Sequence, residues 1–261
     1  MGATMLDASL LSDYCERFFG FGRWNAPVWL IGIEEAGGHD EAEIKLRLDT
    51  WAARSRLALE DAPSFYPALG NNAWHGSEAE LQPTWQQLIR MLLRTQGEAD
   101  TGPALLDYQR RHLGSANGET CVVELLPLPS PRTGIWNYSH WCALPWLQNR
   151  TEYLRAMREK RARMLMEQLR VGRPKLVVFY GTTLPGPVSL LPTWARIAGA
   201  DFYQAVPDRR ILLESKSNRT SFFVTKHPAA EDIRPNADAY FREVGDILRI
   251  KCGKDASPDV P

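Results

Sequence analysis

Pro27-Val28-Trp29-Leu30-Ile31-Gly32-Ile33-Glu34-Glu35-Ala36-Gly37-Gly38 is the stretch on which the fold turns. From Val28 to Ile33 every residue is apolar or glycine, the pattern of a strand buried on both faces. The run then breaks into two adjacent carboxylates and an Ala-Gly-Gly. A strand that ends in acids and glycines ahead of a helix is where an open α/β sheet places its chemistry. An ordinary solvated turn has the same composition. A second stretch far downstream, Ser221-Phe222-Phe223-Val224-Thr225-Lys226-His227-Pro228, repeats the arrangement and delivers a histidine to its C-terminal end.

Two further apolar runs, Thr120–Leu126 and Lys175–Tyr180, also read as strands, and Ile211–Glu214 as a short extra one. Between them lie segments with helical spacing: residues 7–22, 40–56, 85–95, 151–170 and 237–250. Short all-apolar strands separated by helices specify a parallel sheet covered on both sides. The expectation is an α/β fold, a three-layer α/β/α sandwich around a mainly parallel four-stranded sheet. One domain is expected over residues 1–252, with a disordered tail at 253–261. Asp61–Leu81 has no period and many Pro, Gly, Asn and aromatic residues, so it reads as a covering or functional loop. Pro127-Leu128-Pro129-Ser130-Pro131-Arg132 admits neither helix nor ladder and must be an ordered loop after the second strand.

A chain of 261 residues, 44% hydrophobic and 24% charged, can bury a substantial core. No apolar run approaches the roughly 18 residues of a membrane span, and the start lacks a signal-peptide layout. A cytoplasmic protein is expected. Cys15, Cys121, Cys142 and Cys252 show no CxxC spacing, so they read as free, mostly buried thiols rather than metal ligands or a disulfide framework. Zero net charge argues against coating nucleic acid by bulk electrostatics. Locally, Arg150–Lys175 holds seven arginines and two lysines against three glutamates. That run suits either a solvated helix face or a phosphate-binding surface.

The strand ends together resemble those of the uracil-DNA glycosylase superfamily. Its first motif, Gly-Gln-Asp-Pro-Tyr or Gly-Glu-Ala-Pro-Gly, has its counterpart in Gly32-Ile33-Glu34-Glu35-Ala36. A second strand of the type Val-Val-Lys-Cys-Arg-Pro-Pro resembles Val122-Val123-Glu124-Leu125-Leu126-Pro127-Leu128. A third, Pro-Lys-Val-Ile-Val-Ala-Leu-Gly, resembles Pro174-Lys175-Leu176-Val177-Val178-Phe179-Tyr180-Gly181. The last motif, His-Pro-Ser-Pro, is similar to His227-Pro228-Ala229-Ala230. The resemblance covers about residues 24–250 and rests on four short motifs in the right order.

That resemblance implies a monofunctional DNA glycosylase acting on double- or single-stranded DNA, monomeric and without cofactor or metal. Cleaving the N-glycosidic bond builds positive charge on the sugar and negative charge on the departing base. A carboxylate stabilises the first or orients water toward C1′, and a histidine hydrogen bond stabilises the second. Glu34 takes the place of the family's catalytic aspartate, with Glu35 as the fallback. His227 takes that of the base-contacting histidine; the other four histidines have no assigned role. Gly32, Ile33, Ala36, Gly37, Gly38, Glu124, Leu126 and Pro127 are the corresponding pocket residues. An apolar wedge after the histidine motif falls on Ile233, beside Arg234, and Ser130, Arg132 and Lys226 are candidate phosphate contacts.

Where the sequence departs from the family, it loses uracil-reading groups. The tyrosine that closes the pocket at C5 is replaced by Ala36, followed by two glycines, and the base-reading asparagine has no match. The expected substrate is therefore a modified base with a bulky C5 substituent, such as glucosylated 5-hydroxymethylcytosine of phage DNA. Members of the superfamily serve in antiviral defence. Alternatives are a uracil or hypoxanthine repair glycosylase and a non-catalytic nucleic-acid-binding module. Some branches hold an iron–sulfur cluster on four cysteines. Cys142 resembles one ligand, but the preceding position is Leu125, so no cluster is expected.

Overall fold

The computed structural model describes residues 5–253 except Thr133, 185–188, 207–208 and 217–218. The Asp7 carboxylate caps the first helix, α1 (Ala8–Arg17), by accepting from the backbone of Ser9 and Leu10. A two-residue strand, β1 (Gly20–Phe21), leads to the core strand β2 (Val28–Gly32). Asp40 caps α2 (Glu41–Ala53), and β3 (Leu59–Glu60) runs into α3 (Ala62–Ala68). Next come α4 (Pro83–Gln96), α5 (Gly102–Arg111) and β4 (Thr120–Glu124). A one-turn α6 (Tyr138–Trp141) precedes the long α7 (Arg150–Gly172), whose cap is Asn149. The remaining elements are β5 (Leu176–Tyr180), α8 (Leu191–Ala198), β6 (Tyr203–Val206), β7 (Arg209–Lys216), β8 (Ser221–Thr225) and α9 (Ala237–Gly253).

The chain is α/β, and its sheet has eight strands in the order β3-β1-β4-β2-β5-β8-β7-β6 rather than the four expected. The four expected strands, β4, β2, β5 and β8, form its parallel centre. β1 and β7 pair antiparallel with the two sides of that centre, and β3 and β6 extend it. Two-residue strands carry no period-2 signal; pairing alone defines them. Gly20 shows how: at φ +141°, its backbone passes so near the Val122 carbonyl that a Cβ would collide with it. The helix expected to reach residue 22 accordingly stops at Arg17. Asp61–Leu81 likewise contains a helix, α3, entered at Pro63, where the missing N–H costs nothing. Gly253 belongs to α9, and the rest of the expected tail, 254–261, lies outside the described residues.

Successive side chains point to opposite faces of the sheet. Trp29 and Phe179 share one face, where the Trp29 indole lies against Gly172 of α7 and Phe179 stacks on Trp194 of α8 with centroids 4.8 Å apart. Gly32, Glu124, Tyr180 and Thr225 share the other, where the Thr225 and Tyr240 hydroxyls meet at 2.8 Å and anchor α9. α9 packs on α4 through Arg94, whose guanidinium is bidentate to Asp246. Helices thus cover both faces, and Cys15, Cys121 and Cys142 are buried among them. No described helix is long and apolar enough to cross a membrane.

Candidate active site

Register places four residues side by side at the C-terminal rim of the parallel strands: Glu124 beside Gly32, Gly32 beside Tyr180, and Tyr180 beside Thr225. Gly32 leaves room for its neighbours' side chains. A Cβ there would strike Glu124 Oε2 and the Tyr180 ring. In the space it leaves, the Tyr180 hydroxyl donates to Glu124 Oε1 at 2.6 Å, while Oε2 is buried without a partner. Burial, abetted by the charges of Glu35 and Glu34 and only partly offset by the Tyr180 hydrogen bond and the Arg161 charge, pushes the Glu124 carboxyl up to about 8.

The chain leaving β2 carries the two adjacent acids in different directions. Glu34, 8% exposed, receives Nη2 of Arg150 at 2.6 Å on both oxygens. Burial raises its pKa, and Arg150 opposes the rise. Arg150 is the first residue of α7 and lies over the Trp136 ring, 5.5 Å from the centroid. Glu35 turns to α2 and α3 instead. Arg47 donates to its two oxygens at 2.7 and 3.4 Å, and the Tyr66 hydroxyl also donates to it. The loop that aims them is held by Glu43, which accepts from the backbone N–H groups of Gly38 and His39.

Glu35 and Glu124 form the acid side of a small pocket. Phe18, Phe21, Tyr66 and Trp85 make its aromatic side, and Pro127 lies between. The aromatic groups come from four elements: the C-cap of α1, β1, α3 and α4. Such a mixture of apolar wall and a few convergent polar groups is the usual form of a small-ligand site.

His227 follows β8 at the same rim, its ring centroid 5.9 Å from that of Tyr180. Nδ1 accepts from the Ala229 backbone N–H at 3.1 Å. The neutral ring therefore carries its proton on Nε2, as a donor. Burial lowers its pKa and so favours that neutral form. Tyr180 is thus in contact with both Glu124 and His227, although His227 does not line the pocket.

The other expected site residues divide. Pro127 lines the pocket, and Leu126 is buried behind it with its N–H on the Ile33 carbonyl. The Ile33 side chain packs against Gly181. Gly37 and Gly38 do not face the pocket. They turn toward Pro129 and Glu43, where a Cβ on Gly38 would lie 2.6 Å from the Pro129 carbonyl oxygen. Ala36 is exposed. Ser130 is 4% exposed and its hydroxyl is spent on the carbonyls of Arg132 and Ile135, so it braces the loop instead of facing a phosphate. Ile233 is 7% exposed and packs into the core instead of standing out as a wedge. Arg132 and Arg234 are exposed, and Lys226 pairs with Asp232.

Several groups escaped the sequence reading. Arg47 is not singled out by the sequence, and Arg150 and Arg161 belong to the run assigned to a solvated face or a phosphate-binding surface, yet all three are largely buried. Arg161 lies 3.6 Å from the Phe19 ring centroid and donates to the carbonyls of Leu125 and Glu124, holding the end of β4 in place. Arg161 is flanked by Met157 and Leu165 on the buried stripe of α7, a spacing that marks it as inward-facing. Tyr66 was hidden in a stretch without period. Among the described residues no group of three His, Cys, Asp or Glu could hold a metal ion. No protein-family model matches the chain, and no curated protein matches it.

Proposed function

We propose that this chain is a monofunctional DNA glycosylase that hydrolyses the N-glycosidic bond of a modified base and leaves an abasic site. One observation carries the reading: carboxyl groups and a neutral Nε2–H histidine gather at one sheet rim, beside an aromatic pocket. Glu35 is the carboxylate assigned to the sugar, because it lines the pocket and Glu34 does not. Held by Arg47 and Tyr66, Glu35 stabilises positive charge at C1′ or accepts a proton from the attacking water. His227 donates from Nε2 to the base as charge builds on it. The exposed Arg132 and Arg234 are suited to the phosphates on either side.

The proposed substrate remains a C5-substituted cytosine such as the glucosylated base of phage DNA, which would make the activity a defence. Support comes from the sequence, where Ala36 takes the place at which the uracil-specific branch closes its pocket with tyrosine; Ala36 is exposed and, like Gly37 and Gly38, does not line the pocket. Single-turnover incubation with oligonucleotides bearing uracil, hypoxanthine, 5-hydroxymethylcytosine or its glucosylated form, followed by alkali, tests the reading. Glu35→Ala and His227→Ala should each lower cleavage by about 10²–10⁴-fold. Unchanged cleavage in both variants would sink the assignment, and binding without cleavage by the wild type would leave a nucleic-acid-binding module.

A further inference from the structure

Building on the glycosylase reading, we propose that Glu124 is the proton donor to the departing base, which suits the site to a cytosine-type ring that leaves poorly as an anion. Three carboxyl groups share the rim, and two guanidinium groups contact them: Arg150 on Glu34 and Arg47 on Glu35. Among the described residues no cation touches the Glu124 carboxyl. The charge of Arg161 on α7 favours the carboxylate, but its Nε and Nη2 are spent on the Leu125 and Glu124 backbone carbonyls and it forms no ion pair with the Glu124 carboxyl. From β5 the Tyr180 hydroxyl donates to Oε1. From α3 Tyr66 is committed to Glu35, and His227, beyond Tyr180, is kept neutral by burial.

Glu124 Oε2 is therefore a buried oxygen with no partner, next to Gly32 in a residue that lines the pocket. A bare carboxylate in that position, facing two other acids, is far costlier than a neutral acid whose O–H can donate to a ligand. The upward shift of its pKa to about 8 agrees with the charge count. As the C1′–N bond breaks, its electron pair moves into the base. The Oε2 proton passes to a ring nitrogen or carbonyl oxygen, so the base leaves neutral. Water adds to C1′ and gives a proton to Glu35, which then releases it to solvent, and Glu124 is reprotonated from solvent. Uracil spreads its negative charge over two carbonyls and depends less on this proton than a 4-amino ring does.

The test is single-turnover cleavage of 5-hydroxymethylcytosine, glucosylated 5-hydroxymethylcytosine and uracil oligonucleotides across a pH series, with the wild type, Glu124→Gln and Tyr180→Phe. The wild-type rate on the cytosine-type bases should fall above about pH 8, roughly tenfold per pH unit. Glu124→Gln should abolish that limb and slow those bases by about 10²–10⁴-fold, with a much smaller loss on uracil. Tyr180→Phe removes a hydrogen bond that favours the carboxylate, so the limb should move to higher pH. A Glu124→Gln protein that is folded by circular dichroism and keeps both rate and limb would overturn the proposal, as would a wild type that cleaves uracil alone. Infrared difference spectra near neutral pH give a readout independent of turnover. A protonated-carboxyl band lost in Glu124→Gln is expected, and its absence from the wild type overturns the proposal. Cleavage of no base, with that band present, would instead count against the glycosylase reading.

Discussion

Three carboxyl groups meet at the rim with two guanidinium partners between them, and that imbalance gives folding a specific pH dependence. The Glu124 carboxyl titrates at about 8 in the folded chain against an ordinary 4.5. The folded state holds this proton more tightly, so the stabilisation is complete below the ordinary value and is lost as pH rises toward 8. Relative to Glu124→Gln, the wild type should lose roughly 1.4 kcal/mol per pH unit over that window and run parallel above it. Urea titrations of both proteins at about one-unit pH steps check this; a constant difference would contradict it. Arg150 makes the complementary case. Arg150→Met leaves Glu34 buried and unpaired and should cost about 3–5 kcal/mol in urea unfolding at neutral pH. The acids were visible in the sequence, but their partners lie 12 and 116 residues away, and no local pattern records such pairings.

The loop after β2 works as a unit: strand end, two acids pointing apart, then two glycines packed on the Pro127–Arg132 loop. Gly38 sits at φ +69°, with the Pro129 carbonyl where a side chain would go. Gly38→Ala should therefore cost about 1–3 kcal/mol and misplace Glu35. Thermal unfolding and single-turnover assays would register both effects, and a variant with wild-type melting and rate would show that the loop tolerates a Cβ. Strand ends were legible because buried parallel strands are continuous apolar runs. α3 was not, because Pro63 and Pro67 look like breakers unless one knows that the helix is only about two turns long and entered at a proline. Its Tyr66, the residue that grips Glu35 and closes the aromatic wall, was lost with it.

The sheet divides the molecule, with the pocket on the face shared by Glu124 and Tyr180 and the support from α7 on the other. Trp29, fully buried, packs the central strand against Gly172 of the helix that carries Arg150 and Arg161. Trp29→Ala should destabilise by about 3–5 kcal/mol. Because the helix loses its seat, cleavage should fall at temperatures where the fold persists; a stability loss with an intact rate would show that α7 positions nothing in the site. The linear sequence determined the α/β class, the central strands and which acids and histidine stand at their ends, because hydrophobic period and strand length are local properties. Tertiary structure decided the eight-stranded order, the turning of Gly37 and Gly38 away from the pocket, and the separate environments of Glu34, Glu35 and Glu124. Edge pairing, close approach and ion pairing are long-range, and a buried carboxyl's charge depends on which cation the fold brings to it.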